Sequence, residues 1–146
     1  MIPDLYVALI LSFLDSRDLL SIFKNIRQWS HITTKYGKLF TIENMPRGTS
    51  DSDLKYFVKV RTIDLSNCRN ITDSGLINFK GIHAIKLQNC RQITKIGLEH
   101  LRGIHTIDLC GCHKITNSDL VHLKGVHTIN LGRCSKITDI GLKHLQ

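Results

Sequence analysis

The side chains whose type and spacing invite chemistry are cysteine and histidine. Cys68, Cys90, Cys112 and Cys134 recur every 22 residues, and His83, His105 and His127 keep the same interval. Thiolate and imidazole are the usual ligands of zinc, but no CxxC pair and no tetrahedral set is spelled out. An even spacing instead puts each Cys in one slot of a repeated unit. Free Cys is small and readily buried, so these four are read as a core ladder. Adjacent parallel strands stand about 4.8 Å apart, which makes a disulfide sterically feasible, yet reduced thiols in an intracellular compartment are the expectation. Cys110 occupies the slot of Ser66, Gln88 and Gly132 and should face outward. The His ladder, continued by Arg61, would set imidazoles about 4.8 Å apart, close enough to oppose each other's protonation. Duplication of units accounts for it without a metal or a pH switch, and the same holds for His100, His122 and His144. No Gly-rich phosphate loop, HExxH or GxSxG occurs. The expectation is therefore a chain that is not an enzyme and holds no metal and no cofactor.

What positions these residues is a period. VRTIDLSNCRNITDSGLINFKG (60–81), IHAIKLQNCRQITKIGLEHLRG (82–103), IHTIDLCGCHKITNSDLVHLKG (104–125) and VHTINLGRCSKITDIGLKHLQ (126–146) align without an insertion. Residues 49–59 repeat the second half of a unit, with Leu54 and Phe57 each 22 before Leu76 and Phe79. Alternating stretches such as Ile63-Asp64-Leu65 predict a strand. After each strand Thr72, Thr94, Thr116 or Thr138 precedes apolar residues at three-residue spacing, and Gly81, Gly103 or Gly125 follows, which predicts a capped short helix. Such a unit cannot bury its apolar face alone, so units must stack. The predicted fold is an α/β solenoid with parallel strands on one face and short helices on the other.

With 146 residues the chain can hold one or two small domains. No apolar run is long enough for a membrane span, and Asp4 stands where a secretion signal would place Lys or Arg. The net charge of +8 divides as +2 over residues 1–59 and +6 over 60–146. The mixed signs of the outward strand residues and the scarcity of aromatics argue against nucleic acid as a partner.

The unit L-x-x-L-x-L-x-x-C-x-x-I-T-D-x-G-L resembles the cysteine-containing class of leucine-rich repeat across 60–146. Asp119 departs from the Gly of the other units, and Lys95 and Asn117 replace the Asp of Asp73 and Asp139. These departures fall at helix starts and are expected to weaken the fold. The array also stops at Gln146, leaving Ile137, Leu142 and Leu145 without a following unit. That end is expected to be covered by a partner or a second copy, or to reflect truncation.

Residues 1–40 carry three short amphipathic segments, too few for a large independent core. The opening Ile2-Pro3-Asp4, Ile10 to Asp15, Asp18-Leu19-Leu20 and Arg27-Gln28-Trp29 resemble an F-box, with Leu5 where the family commonly has Glu and Asn25 where it has an apolar residue. An F-box (1–40), a linker with a degenerate half-repeat (41–59) and four cysteine-containing repeats (60–146) together resemble the substrate receptors of SCF-type cullin-RING ubiquitin ligases. The resemblance implies that Ile2, Pro3, Ile10, Leu11, Phe13, Leu14, Leu19, Leu20 and Trp29 include the contacts to a Skp-type linker that reaches a cullin scaffold. Some of them must pack internally. It further implies that the repeats bind a protein substrate, and the alternation selects Thr62, Asp64, Ser66, Lys86, Gln88, Asn89, Thr106, Asp108, Cys110, Thr128, Asn130 and Arg133 as the face that does so. Near-identical units rich in Ile, Lys and Asn point to recent duplication in an AT-rich genome, such as that of a large DNA virus or a protist. The linker and scaffold would in the viral case be a host's. The alternative is a repeat module outside any ligase, its helical head serving as a solenoid cap.

Overall fold

Parallel pairing in steps of one unit generates the sheet. The computed structural model describes residues 4–26 and 30–146, so the motif positions Ile2, Pro3 and Trp29 lie outside the described residues. Strands β1 (Thr41–Ile42), β2 (Thr62–Asp64), β3 (Ala84–Lys86), β4 (Thr106–Asp108) and β5 (Thr128–Asn130) form one all-parallel sheet in chain order. Thr62 pairs with Ala84, Ala84 with Thr106 and Thr106 with Thr128, which is the register a 22-residue period dictates. The first strand pair is offset by 21, with Thr41 opposite Thr62. β1 is an addition to what the period foresaw.

Each strand is short because the chain must turn inward straight after it. Asn67, Asn89, Gly111 and Arg133 adopt the left-handed conformation at that corner, with φ of 63°, 58°, 74° and 58°. The N–H of Cys68, Cys90, Cys112 and Cys134 then donates back to the strand-end Leu65, Leu87, Leu109 and Leu131 carbonyls at 2.9–3.1 Å. Asn and Gly accept such a backbone readily, whereas Arg adopts it at a cost. Ile63, Leu65, Cys68, Ile71 and Leu76 are completely buried, and their counterparts in the next two units are essentially so. Each such aliphatic side chain contributes roughly 1.5–3 kcal/mol. In the last unit Ile129, Leu131 and Ile137 are only half-buried, because they have neighbours on one side.

The helical side is tighter than a run of α-helix. α4 (Asp51–Leu54), α5 (Asp73–Leu76) and α7 (Asp139–Leu142) are single turns that continue as 3₁₀ helix, and Asn117–Leu123 is 3₁₀ throughout. Only α6 (Lys95–His100) is longer. The three-residue spacing of Leu76 with Phe79 and of Leu120 with Leu123 suits a helix of three residues per turn, which eclipses those side chains toward the core.

Three helices precede the sheet: α1 (Asp4–Leu11), α2 (Ser16–Asn25) and α3 (Ser30–Tyr36). Asp15 caps α2, its carboxylate accepting the N–H groups of Arg17 and Asp18 at 2.9 Å. The buried face of α2 meets the half-unit. The Phe23 ring stands edge-on to Phe57 at 5.9 Å, and Lys24 Nζ lies 2.7 Å from Asp53 Oδ1. Burial alone would push the Asp53 carboxyl up, but hydrogen bonds from Lys24 and Ser50 outweigh it and leave it below the ordinary value.

Candidate interaction surfaces

The strand residues expected to face outward do come together on one surface, but they are not equally free. Asp64 is only 8% exposed. Its carboxylate accepts the Ser66 N–H at 2.9 Å and pairs with Lys86 Nζ at 3.2 Å, and these bonds hold it below the ordinary carboxyl range against the opposing effect of burial. Asp108, opposite Lys86 on its other side, makes the same turn bond, accepting the Cys110 N–H at 2.8 Å, and reaches Asn130 Nδ2 at 3.0 Å. Asn89 Nδ2 donates to Asn67 Oδ1 at 3.0 Å. The aspartates thus serve the strand-end turns and bridge adjacent strands, and they are poorly placed to act as free carboxylates. Lys86, Thr128, Asn130 and Arg133 are exposed, while Thr62, Ser66, Gln88, Asn89, Thr106 and Cys110 are half-buried. The surface offers hydroxyl, amide and cationic groups over apolar strands, a chemistry suited to polar contacts with a macromolecular surface.

The departures from the repeat pattern, expected to weaken the fold, prove to be coupled. Asp51 reaches into the next unit, accepting the Thr72 N–H at 2.9 Å and its hydroxyl at 2.5 Å. Asp73 does the same for Thr94, and Asn117 accepts the Thr138 N–H at 2.9 Å. Gly75, Gly97 and Gly141 are required there, since a Cβ on any of them would collide with the reaching side chain. Lys95 cannot make this contact. In its absence the site opposite carries Asp119, whose own carboxylate accepts the Thr116 N–H at 2.9 Å and hydroxyl at 2.8 Å. The donors are satisfied either way. At Lys95 and Asp119 a local capping box thus stands in place of the inter-unit bond.

The cysteines of the ladder are buried and not paired with one another. Cys90, Cys112 and Cys134 donate S–H to the Leu65, Leu87 and Leu109 carbonyls of the preceding unit at 3.1–3.2 Å. Burial pushes the Cys90 and Cys112 thiols up to about 12 and Cys68 to about 11. These groups are hydrogen-bond donors, not nucleophiles. The His ladder stacks at the exposed starts of β3 to β5, ring centroids being 4.6 Å apart for His83 and His105 and 4.7 Å for His105 and His127. Among the described residues no group of His, Cys, Asp and Glu is arranged to hold a metal ion.

In the head, Leu11, Leu19 and Leu20 belong to the core, Leu14 is half-buried, and Ile10 and Phe13 are exposed at 59% and 82%. Leu9, at 52%, joins them. It was not among the residues singled out from the motif, although helical spacing places it one turn before Phe13. Of the motif's described positions, Leu11, Leu19 and Leu20 are thus occupied in holding the head together.

Fold and periodic core define an α/β repeat protein of leucine-rich-repeat-like architecture. No family model and no characterised protein matches the chain. Among the described residues no helix is long and apolar enough to cross a membrane.

Proposed function

We propose that the chain is a substrate-recognition adaptor of an SCF-type E3 ubiquitin ligase, in which the F-box-like head binds a Skp-type linker and the repeats bind a protein substrate. The observation that carries this reading is the group of Leu9, Ile10 and Phe13, three large apolar side chains left exposed beside a head core in which Leu11, Leu19, Leu20 and Phe23 are buried. Leaving them in water forgoes roughly 1.5–3 kcal/mol each, which a partner could recover. The reading draws equally on the F-box-like motif that precedes repeats with a polar sheet face. In this role the ubiquitin-transfer chemistry belongs to the conjugating enzyme, and this chain contributes only the two grips.

A test is direct binding of the full chain to a purified Skp-type linker, beside an Ile10→Ala, Phe13→Ala double variant. Because both side chains are exposed, the variant should keep its melting temperature while affinity falls at least tenfold. Absence of binding by the wild type, or equal binding by both, removes the ligase reading. A second reading, a repeat module with a helical cap, is favoured by the close packing of Phe23 on Phe57 and by the Lys24–Asp53 pair. It predicts that absence.

A further inference from the structure

A cavity of about 820 Å³ opens between the end of α3 and the first repeat units, sharing no residue with the sheet face or the Leu9, Ile10, Phe13 cluster. Its lining carries Lys35, Lys38, Lys59, Arg61, Lys80 and His83 and no Asp or Glu. Among the described residues, Lys35 has a carboxylate in reach, Asp4 Oδ2 at 3.3 Å, whereas Lys38, Lys59, Arg61 and Lys80 make no ion pair. Four uncompensated cations around one concavity repel each other, an arrangement that favours capture of an anion. Buried Val60, Phe79 and Ile82 give the cavity a firm apolar floor.

Two backbone features show that this cluster is built. Lys59 is held at φ 61° in the slot where the following units have Gly81, Gly103 and Gly125 at 77–79°. A lysine kept in the left-handed region at the lining of a cavity is the kind of outlier that accompanies function. Gly37 lies so close to the Lys59 carbonyl that a Cβ there would stand 2.7 Å from it. That contact brings the turn bearing Lys38 against the strand entry bearing Lys59 and Arg61.

We propose that this cavity binds a compact, multiply phosphorylated small molecule through Lys38, Lys59, Arg61 and Lys80. Its volume falls in the range of about 300–1,000 Å³ common to small-molecule sites. Several cationic residues around one cavity match clustered phosphates better than an isolated carboxylate, and a guanidinium can take a phosphate in two parallel hydrogen bonds. An extended nucleic acid would need the charge drawn out in a stripe, but here it is gathered into one concavity.

The test is calorimetric titration of the full chain with inorganic tripolyphosphate near physiological ionic strength, where distant surface charges are screened. Saturable one-to-one binding is expected, weakened by at least tenfold in Lys59→Gly and in Lys80→Gln. Lys124→Gln, in the slot of Lys80 two units further along, should bind as the wild type does. Lys59→Gly removes the charge while relieving the backbone, and its melting temperature, expected at or above that of the wild type, separates loss of binding from unfolding. The proposal is overturned by absence of saturable binding or by equal losses in all three variants. A tenfold preference for a doubly phosphorylated peptide overturns it as well.

Discussion

The Asp73 carboxylate bridges two repeat units, accepting the backbone N–H of Thr94 at 2.8 Å and its hydroxyl at 2.6 Å. This bond satisfies a helix-start donor from outside the unit that contains it, so stability at Thr94 depends on a residue one unit away. At Thr116 the dependence is local, through Asp119. Asp119→Gly alone leaves the Thr116 N–H without its acceptor and should cost about 1–2 kcal/mol in urea unfolding. Lys95→Asp alone should gain nothing, because the Asp119 side chain occupies the approach that Gly leaves open elsewhere. Combining both substitutions restores the bridge seen at Thr94. A double-mutant cycle should therefore show a favourable coupling of at least about 1 kcal/mol, and simple additivity would refute the exchange.

The thiols divide by burial. Cys110 is half-buried and the other four cysteines are buried, so an aromatic disulfide reagent near neutral pH should titrate one thiol quickly in the native chain and five after unfolding. Cys110→Ser should abolish the fast phase. A second fast thiol would mean that the ladder opens.

The same ladder sets an alkaline limit. Cys90 and Cys112 are raised from 9.0 to about 12, chiefly by burial. An acid that holds its proton more tightly when folded stabilises the fold fully below its unfolded pKa, and the benefit is lost as pH rises through the folded value. Stability should thus decline from about pH 9 toward about 12. Other side chains titrate in that window, so the measurement is the difference between wild type and Cys90→Ala. The variant starts less stable, by about 1–3 kcal/mol for the lost packing and S–H bond, and should show a shallower decline. Parallel curves would remove the thiols from the account.

His105 stands between two other imidazoles, and partial desolvation followed by repulsion from His83 and His127 lowers its pKa below 6.5. A base with a lowered folded pKa stabilises the fold above its unfolded value and ceases to do so as pH falls through that range. In an NMR titration its midpoint should lie below that of free histidine and move up in His83→Thr. A midpoint at or above 6.5 would show that the rings separate before they charge.

How much of this was legible in the sequence follows from what each signal encodes. Ile63, Leu65 and Cys68 recur with their neighbours every 22 residues, and a periodic core fixes strand register directly, which is why Ile63 faces Ile85 and Ile85 faces Ile107. β1 escaped because its unit is one residue short and has no cysteine, although Thr41-Ile42 does echo Thr62-Ile63. The Asp–Gly coupling was readable as well, since Asp51, Asp73 and Asn117 are each followed 24 residues later by Gly and Lys95 by Asp119. Its meaning needed geometry, because Asp and Gly are ordinary residues at a helix start. Side-chain freedom on the sheet was not readable. Alternation puts Asp64 on the outward side of its strand, but it cannot tell that the carboxylate folds back onto the Ser66 N–H and leaves the residue buried. The basic cavity is wholly tertiary, joining Lys38 to Lys80 across two elements.

Lys59 and Gly103 occupy the same slot, and the backbone there is left-handed in both, at 61° and 77°. A side chain in that conformation crowds its own carbonyl, at a cost of roughly 1–2 kcal/mol, while glycine avoids the clash but is more flexible when unfolded. The two effects oppose, so Lys59→Gly should stabilise the chain by about 1 kcal/mol and raise its melting temperature by a few degrees. Gly103→Ala should do the reverse by a similar amount. No atom lies within 4 Å of a Cβ placed at Gly103, so the loss there reports backbone strain alone. If Lys59→Gly were instead neutral or destabilising, the lysine would be contributing to stability by some contact of its own. Strain could then no longer support the view that its position is kept for a ligand.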